Sequence, residues 1–118
     1  MGYRSCVGLC LRAESVSALQ SALKGLSQTL QDDCASLFEA CEFTREDEGC
    51  RAWYWEGFKW YSQDRDIRFL EEHLASLDWG QYLFIRVGEE LDDIEYHGGF
   101  WDNPFEMSVS RTVQFNEA

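Results

Sequence analysis

The sequence predicts an α+β domain: an antiparallel sheet with two helices on one face, laid out as a ferredoxin-like βαββαβ core plus a C-terminal strand. Two periodicities carry this prediction. Apolar residues alternate in residues 3–12, and strand-like runs lie around Trp53, at Tyr82–Val87 and at residues 107–115, whereas steps of three and four residues mark helices after the first strand and before the fourth. A third observation is compositional. With 45% hydrophobic and 15% aromatic residues, this acid-rich chain still has the material for a packed core, which a disordered acidic segment lacks.

Along residues 3–12, Val7, Leu9 and Leu11 fall on one side of a strand and Cys6, Gly8 and Cys10 on the other. Both sides are apolar or small, which places this strand in the middle of the sheet. Ser15 is a candidate cap for a helix with Val16, Leu19, Leu23, Leu26 and Leu30 inward and Gly25 weakening its middle. A short turn capped by Asp32 or Asp33 then carries Cys34, Leu37 and Phe38. Phe43 and Thr44 lead into Glu46-Asp47-Glu48-Gly49, a turn whose glycine tolerates positive φ, and residues 52–56 return as the second arm of a hairpin. Gly57 interrupts that arm before Phe58-Lys59-Trp60-Tyr61.

The second helix spans residues 64–77, with Asp64 as N-cap, Ile67, Leu70, Leu74 and Leu77 inward, and Arg65, Arg68, Glu71 and Glu72 outward. Tyr82–Val87 is the clearest strand. An acidic loop follows, then His97-Gly98-Gly99 as a turn and residues 107–115 as the last strand. In this layout the sheet face away from the helices carries the aromatics.

Residues 1–118 read as one domain, with a single proline, Pro104, and no linker, repeat or low-complexity stretch. No apolar span reaches the roughly 18 residues of a membrane-crossing helix. The N-terminal apolar stretch is broken by Gly8 and ends at Arg12 without a small-residue cleavage site. Cys6 stands where a myristoylation motif requires Ser or Thr. Neither a signal peptide nor an N-terminal lipid is therefore expected. Five cysteines, an odd set with no Cys-x-x-Cys pair, fit the reduced thiols of a cytoplasm better than a disulfide framework.

The charge balance is the strongest functional signal. Acids outnumber bases 22 to 10, for a net charge of −12, and residues 62–118 hold thirteen acids against four bases. Five of those acids lie within Glu89-Glu90-Leu91-Asp92-Asp93-Ile94-Glu95. A field of this sign repels nucleic acid and anionic membranes and draws in basic surfaces. The expected partner is a basic protein or nucleoprotein complex, with no direct nucleic-acid or membrane contact.

Gly2-Tyr3-Arg4-Ser5, Phe58-Lys59-Trp60-Tyr61, and Ile85-Arg86-Val87-Gly88-Glu89-Glu90 followed by Asp93-Ile94-Glu95 together resemble a group of small acidic proteins from bacteriophages and prophages. The similarity runs in order through most of the chain, and Arg-Val-Gly-Glu-Glu is its most specific piece. The resemblance implies a phage gene acting in a bacterial cytoplasm. By analogy of gene class it also implies an inhibitor of host defence, as anti-CRISPR proteins are. It carries over no catalytic or binding residue.

Two stretches are candidate contact surfaces. Glu89, Glu90, Asp92, Asp93 and Glu95 read either as a solvated loop or as carboxylates standing where phosphates would stand against a basic groove. Six large aromatics lie in nine residues, among them Trp53, Trp55, Trp60 and Tyr61. Core packing takes part of this cluster, and the exposed remainder would anchor a partner. Asp92-Asp93-x-Glu95 lacks the alternating oxygen ligands and glycine of a calcium loop, and Cys41, Cys50 and His97 lack zinc-ligand spacing. A thiol paired with His73 or His97 is unspecific as a nucleophile, and Gly98-Gly99 is no phosphate cradle.

No metal, cofactor or catalytic residue is therefore expected. The function expected is a non-enzymatic, monomeric or weakly dimeric protein that inhibits a basic, nucleic-acid-binding host defence protein. Two other classes stay open. One is a small enzyme using the carboxylate cluster with His97 nearby. The other is a virion assembly component whose acidic surface serves solubility.

Overall fold

A strand that is apolar on both sides must be covered twice, and the computed structural model, which describes residues 2–110, covers β1 (Ser5–Leu11) twice. After β1 come α1 (Ala13–Lys24), α2 (Gln28–Glu39), β2 (Phe43–Asp47), β3 (Cys50–Phe58), α3 (Arg65–Ala75), β4 (Tyr82–Val87) and β5 (Ile94–Gly98). A 3-10 turn, Trp79–Gln81, precedes β4. The strands form one antiparallel sheet in the order β2-β3-β1-β4-β5, so the fold is α+β with β1 in the middle. Each helical connection passes over one strand. The α1–α2 pair leads from β1 past β3 to β2, and α3 leads from β3 past β1 to β4.

On the helix side, Val7, Leu9 and Leu11 of β1 join Trp53, Trp55, Tyr82 and Phe84 beneath Leu19 of α1, Leu37 of α2 and Ile67, Leu70 and Leu74 of α3. On the other side, Cys10, Ala52, Leu83 and Ile85 lie under Phe100, Phe105, Met107 and Val109 from the chain after β5. Gly8 leaves room there for Met107, whose sulfur would stand 2.7 Å from a Cβ on it.

Several elements differ from the sequence reading. The layer contains three helices, not two. Gly25 caps α1, its N–H donating to the Ala22 carbonyl and the Leu26 N–H to the Leu23 carbonyl, and the Ser27 hydroxyl accepts the Leu30 N–H at 3.3 Å to start α2. This break turns the leucine stripe: Leu19 is buried, Leu23 is half-buried on the core, and Leu26 lies outside it. Ser15 is not the cap; it is buried and bonds Gln81 Oε1, while Arg12 holds the cap position. Asp64 occupies its N-cap position without a side-chain bond, and Asp66 takes the Ile67 N–H instead.

The hairpin turn lies where expected. Glu48 (φ 51°) and Gly49 (φ 85°) are both left-handed, as a type I′ turn requires. Gly57 marks a bulge, since Glu56 and Gly57 together oppose Cys6.

Trp53 and Trp55 are not on the face away from the helices, whereas Tyr54, opposite Gly8, is. Trp53 pairs with Leu9 and Trp55 with Val7, and this register turns both indoles into the helix-side core. The end of the acidic run is not loop either. Ile94 and Glu95 begin β5, with Glu95 made compatible with an edge strand by a cationic partner opposite it, Arg86. Residues 107–110 form no strand, and residues 111–115 of the expected last strand lie outside the described residues. Among the described residues, no helix is long and apolar enough to cross a membrane.

Candidate functional site

The acidic run is built around Arg86, which leaves the helix side of β4 at the open corner of the sheet. Its Nη2 lies 2.7 Å from Asp93 Oδ1, and its Nη1 donates to Asp93 Oδ2 at 3.2 Å and Ser5 Oγ at 2.9 Å. Its Nε donates to Glu95 Oε1. The fork-on-carboxylate geometry and an arginine side chain only 14% exposed make this a strong, charge-assisted clasp. The Tyr3 hydroxyl closes it, donating to Asp93 Oδ2 at 2.6 Å and accepting the Glu90 N–H at 3.0 Å. Donation to that carboxylate pushes the Tyr3 pKa up. Glu89 takes the Arg4 N–H at 2.6 Å. Gly88 makes room for the clasp, since a Cβ there would lie 2.1 Å from Asp93 Oδ2.

The five carboxylates thus divide by environment. Asp93 and Glu95 are held by Arg86, and Glu89 fastens the backbone at Arg4. Glu89, Glu90 and Asp92 are the exposed members of the run.

The expected aromatic anchors are largely core. Trp53, Trp55 and Trp60 are buried, and Tyr61 is half-buried. Three helices cover more of the sheet than two would, and the indole N–H groups find partners inside. Trp55 Nε1 donates to the Leu37 carbonyl at 2.8 Å and Trp60 Nε1 to Glu71 Oε2 at 3.1 Å. Trp55 and Trp60 also pack with centroids 5.1 Å apart.

A different set is the most exposed, Trp79 (68%), Trp101 (48%) and Tyr96 (46%), with Phe43 and Tyr3 exposed elsewhere. Tyr96 and Trp101 pack at 5.8 Å. Trp79 lies over the Gly99 backbone, where a Cβ would come within 2.2 Å of Nε1, and the Gly99 N–H bonds the Trp79 carbonyl at 2.7 Å. Trp79, from before β4, is thus brought to β5 and its exit, where Tyr96 and Trp101 lie, and the exposed Asp78 and Asp102 are next in sequence to Trp79 and Trp101. Sequence reasoning weighted the dense cluster at 53–61 and missed these scattered ones. Their only local signal is that Trp79 and Trp101 sit at turns, beside Gly80 and Asp102.

Between α3 and strands β4 and β5 lies a cleft of about 210 Å³. Leu74, Ala75, Tyr82 and Phe84 give it apolar walls, and Ser62, Glu71, Glu95 and His97 give it polar ones. His97 Nε2 is 3.3 Å from Glu95 Oε2, and its ring lies 5.8 Å from that of Phe84. Burial alone would raise the Glu95 pKa. The hydrogen bonds from Arg86 and His97, with their charges, outweigh it and hold the carboxyl below its ordinary range. The cleft brings together the carboxylate and histidine of the enzyme alternative. A carboxylate held ionised is a weak base, better suited to gripping a cation than to moving a proton.

All five cysteines are free thiols. Burial first, and Cys50 second, push the Cys10 pKa up to about 12, and burial raises Cys34 and Cys41 as well. Thiols raised in this way are poor nucleophiles. Among the described residues, no three His, Cys, Asp or Glu side chains are grouped to hold a metal ion. Comparison of the chain with family models, curated proteins and solved structures finds no match.

Proposed function

We propose that this protein is a non-enzymatic binding protein that occupies the nucleic-acid-binding surface of a basic partner, with its contact face around β5. The observation that carries this reading is the gathering of Trp79, Tyr96 and Trp101, all exposed, on a molecule of net charge −12. Exposed Trp and Tyr are the side chains that most often anchor interfaces. Asp78, Glu89, Glu90, Asp92 and Asp102 border them along the chain and steer a basic surface toward them. The resemblance to phage proteins supports a bacterial host defence complex as the partner and the bacterial cytoplasm as the location.

Capture from bacterial lysate on immobilised protein tests the reading, run beside the W79A/Y96A/W101A variant. The expected result is a basic, nucleic-acid-binding protein retained at low salt, released by rising salt or added heparin, and lost with the triple variant. Retention only of acidic or neutral proteins, insensitive to salt and polyanion, would overturn it.

A further inference from the structure

We propose that β5 and the cleft beside it receive an extended segment of the partner, which adds to the sheet as a sixth strand and places an arginine side chain in the cleft. The inference deepens the proposed function and rests on it for the partner's basic character.

The two sheet edges differ in how they are guarded. At one edge, β2 exposes every residue and places Arg45, Glu46 and Asp47 in a row of five, a charge pattern that discourages strand addition. At the other edge, β5 (Ile94-Glu95-Tyr96-His97-Gly98) has one acidic side chain, already engaged by Arg86. Among the described residues no strand pairs with its outer side. The Gly88 N–H donates to the Asp93 carbonyl, which sets the rungs Arg86–Glu95 and Phe84–His97 as the bonded ones. The Tyr96 N–H and C=O therefore point outward, where an added strand bonds them.

The helix layer stops short of this edge, since no β5 side chain belongs to the core beneath α3. Glu95 and His97 project to the helix side, level with Arg86 and Phe84, and line the cleft. Alternate side chains of an added strand project to that same side, at the cleft mouth. Its walls suit one chemistry best. Leu74, Ala75, Tyr82 and Phe84 match an aliphatic stem and a planar cation, and Glu71 and Glu95 supply carboxylates that accept its N–H groups. A second copy of this chain is the poorer occupant, because it brings another twelve negative charges.

The test is an NMR titration of the full chain with a capped pentapeptide of alternating valine and arginine. Two altered peptides accompany it, one with citrulline for arginine and one N-methylated at the residues facing β5. Shifts centred on β5, Glu71, Tyr82 and Phe84 are expected, with binding at least tenfold weaker for each altered peptide and for Glu71→Gln. Equal binding of the N-methylated peptide would overturn strand addition, and equal binding of the citrulline peptide would overturn the arginine socket. Shifts centred on the acidic hairpin at Glu46–Glu48 would overturn both, as would self-association through β5 that the peptide does not reverse. Changing the probe rather than the strand keeps the outcome independent of folding. Peptide binding without capture of a basic partner would reject the proposed function and leave this inference standing; capture without peptide binding would do the reverse.

Discussion

Two sets of aromatic residues divide this small protein between a buried core and an exposed sheet edge. Trp53, Trp55 and Trp60 lie close together in sequence, are buried under three helices, and are bonded through Trp55 and Trp60 Nε1. Trp79, Tyr96 and Trp101 come from separate turns and an edge strand and remain exposed. The dense set is dense because β3 pairs with the most apolar strand of the chain, and pairing with β1 determines which way its side chains face. The scattered set has no such neighbour. Density of aromatics in sequence therefore marks the core here, and exposure follows from the edge of the sheet.

The largest expected effect lies in the buried set. Trp55→Ala should cost about 3–5 kcal/mol, the range for a large aromatic lost from a packed core, measured by urea unfolding. Trp79→Ala should stay within about 0.5 kcal/mol, as for an exposed side chain. A comparable loss at both positions would erase the distinction.

The acidic run offers the next contrast. Judged by sequence, its five carboxylates are interchangeable, and neutralising them relieves repulsion. In the folded protein Asp93 takes the Arg86 fork and the Tyr3 hydroxyl, so Asp93→Asn should destabilise by about 1.5–3 kcal/mol, the scale of hydrogen bonds to charged groups. Asp92→Asn, at an exposed position, should change stability by no more than about 0.5 kcal/mol. Equal effects would remove the clasp from the account.

Acid titration sharpens this contrast. The Glu95 pKa is lower folded than unfolded, so its contribution is present above its ordinary value of 4.5 and fades as pH falls through the lower folded value. The stability gap between the native chain and Glu95→Gln should therefore close on acidification below that range. A gap that stays constant would show that Arg86 does not depend on the charge of Glu95.

The smallest effect concerns His73, which stacks on Phe69 with its Nε2 buried and, among the described residues, unpartnered. Burial lowers its pKa from 6.5, so the unfolded chain takes up the proton first and stability declines as pH drops below that value. His73→Phe should flatten this slope and match or exceed native stability at pH 5. An unchanged slope would place the titration elsewhere.

Much of the fold was legible because single-residue patterns sufficed for it. The two apolar sides of β1, the Glu48-Gly49 turn, the inward face of α3 and strand β4 all follow from local alternation or period. The split of the first helix depended on two small residues, Gly25 and Ser27, whose capping wins over a continuous leucine stripe. β5 was hidden because its acid reads as loop until Arg86 is placed opposite it. The site was less legible for the same reason. The acid-rich stretch was found, but which carboxylates are engaged depends on Tyr3, Ser5 and Arg86, distant in sequence, and the exposed aromatics converge only through the sheet edge.

In the proposed function, recognition belongs to the β5 edge and stability to the buried tryptophans. The affinity of the captured partner for W79A/W101A, with folding verified by circular dichroism, tests it most directly. At least a tenfold loss is expected, appearing as faster dissociation with little change in association rate. A folded double variant that binds the partner as tightly as the native chain would contradict it.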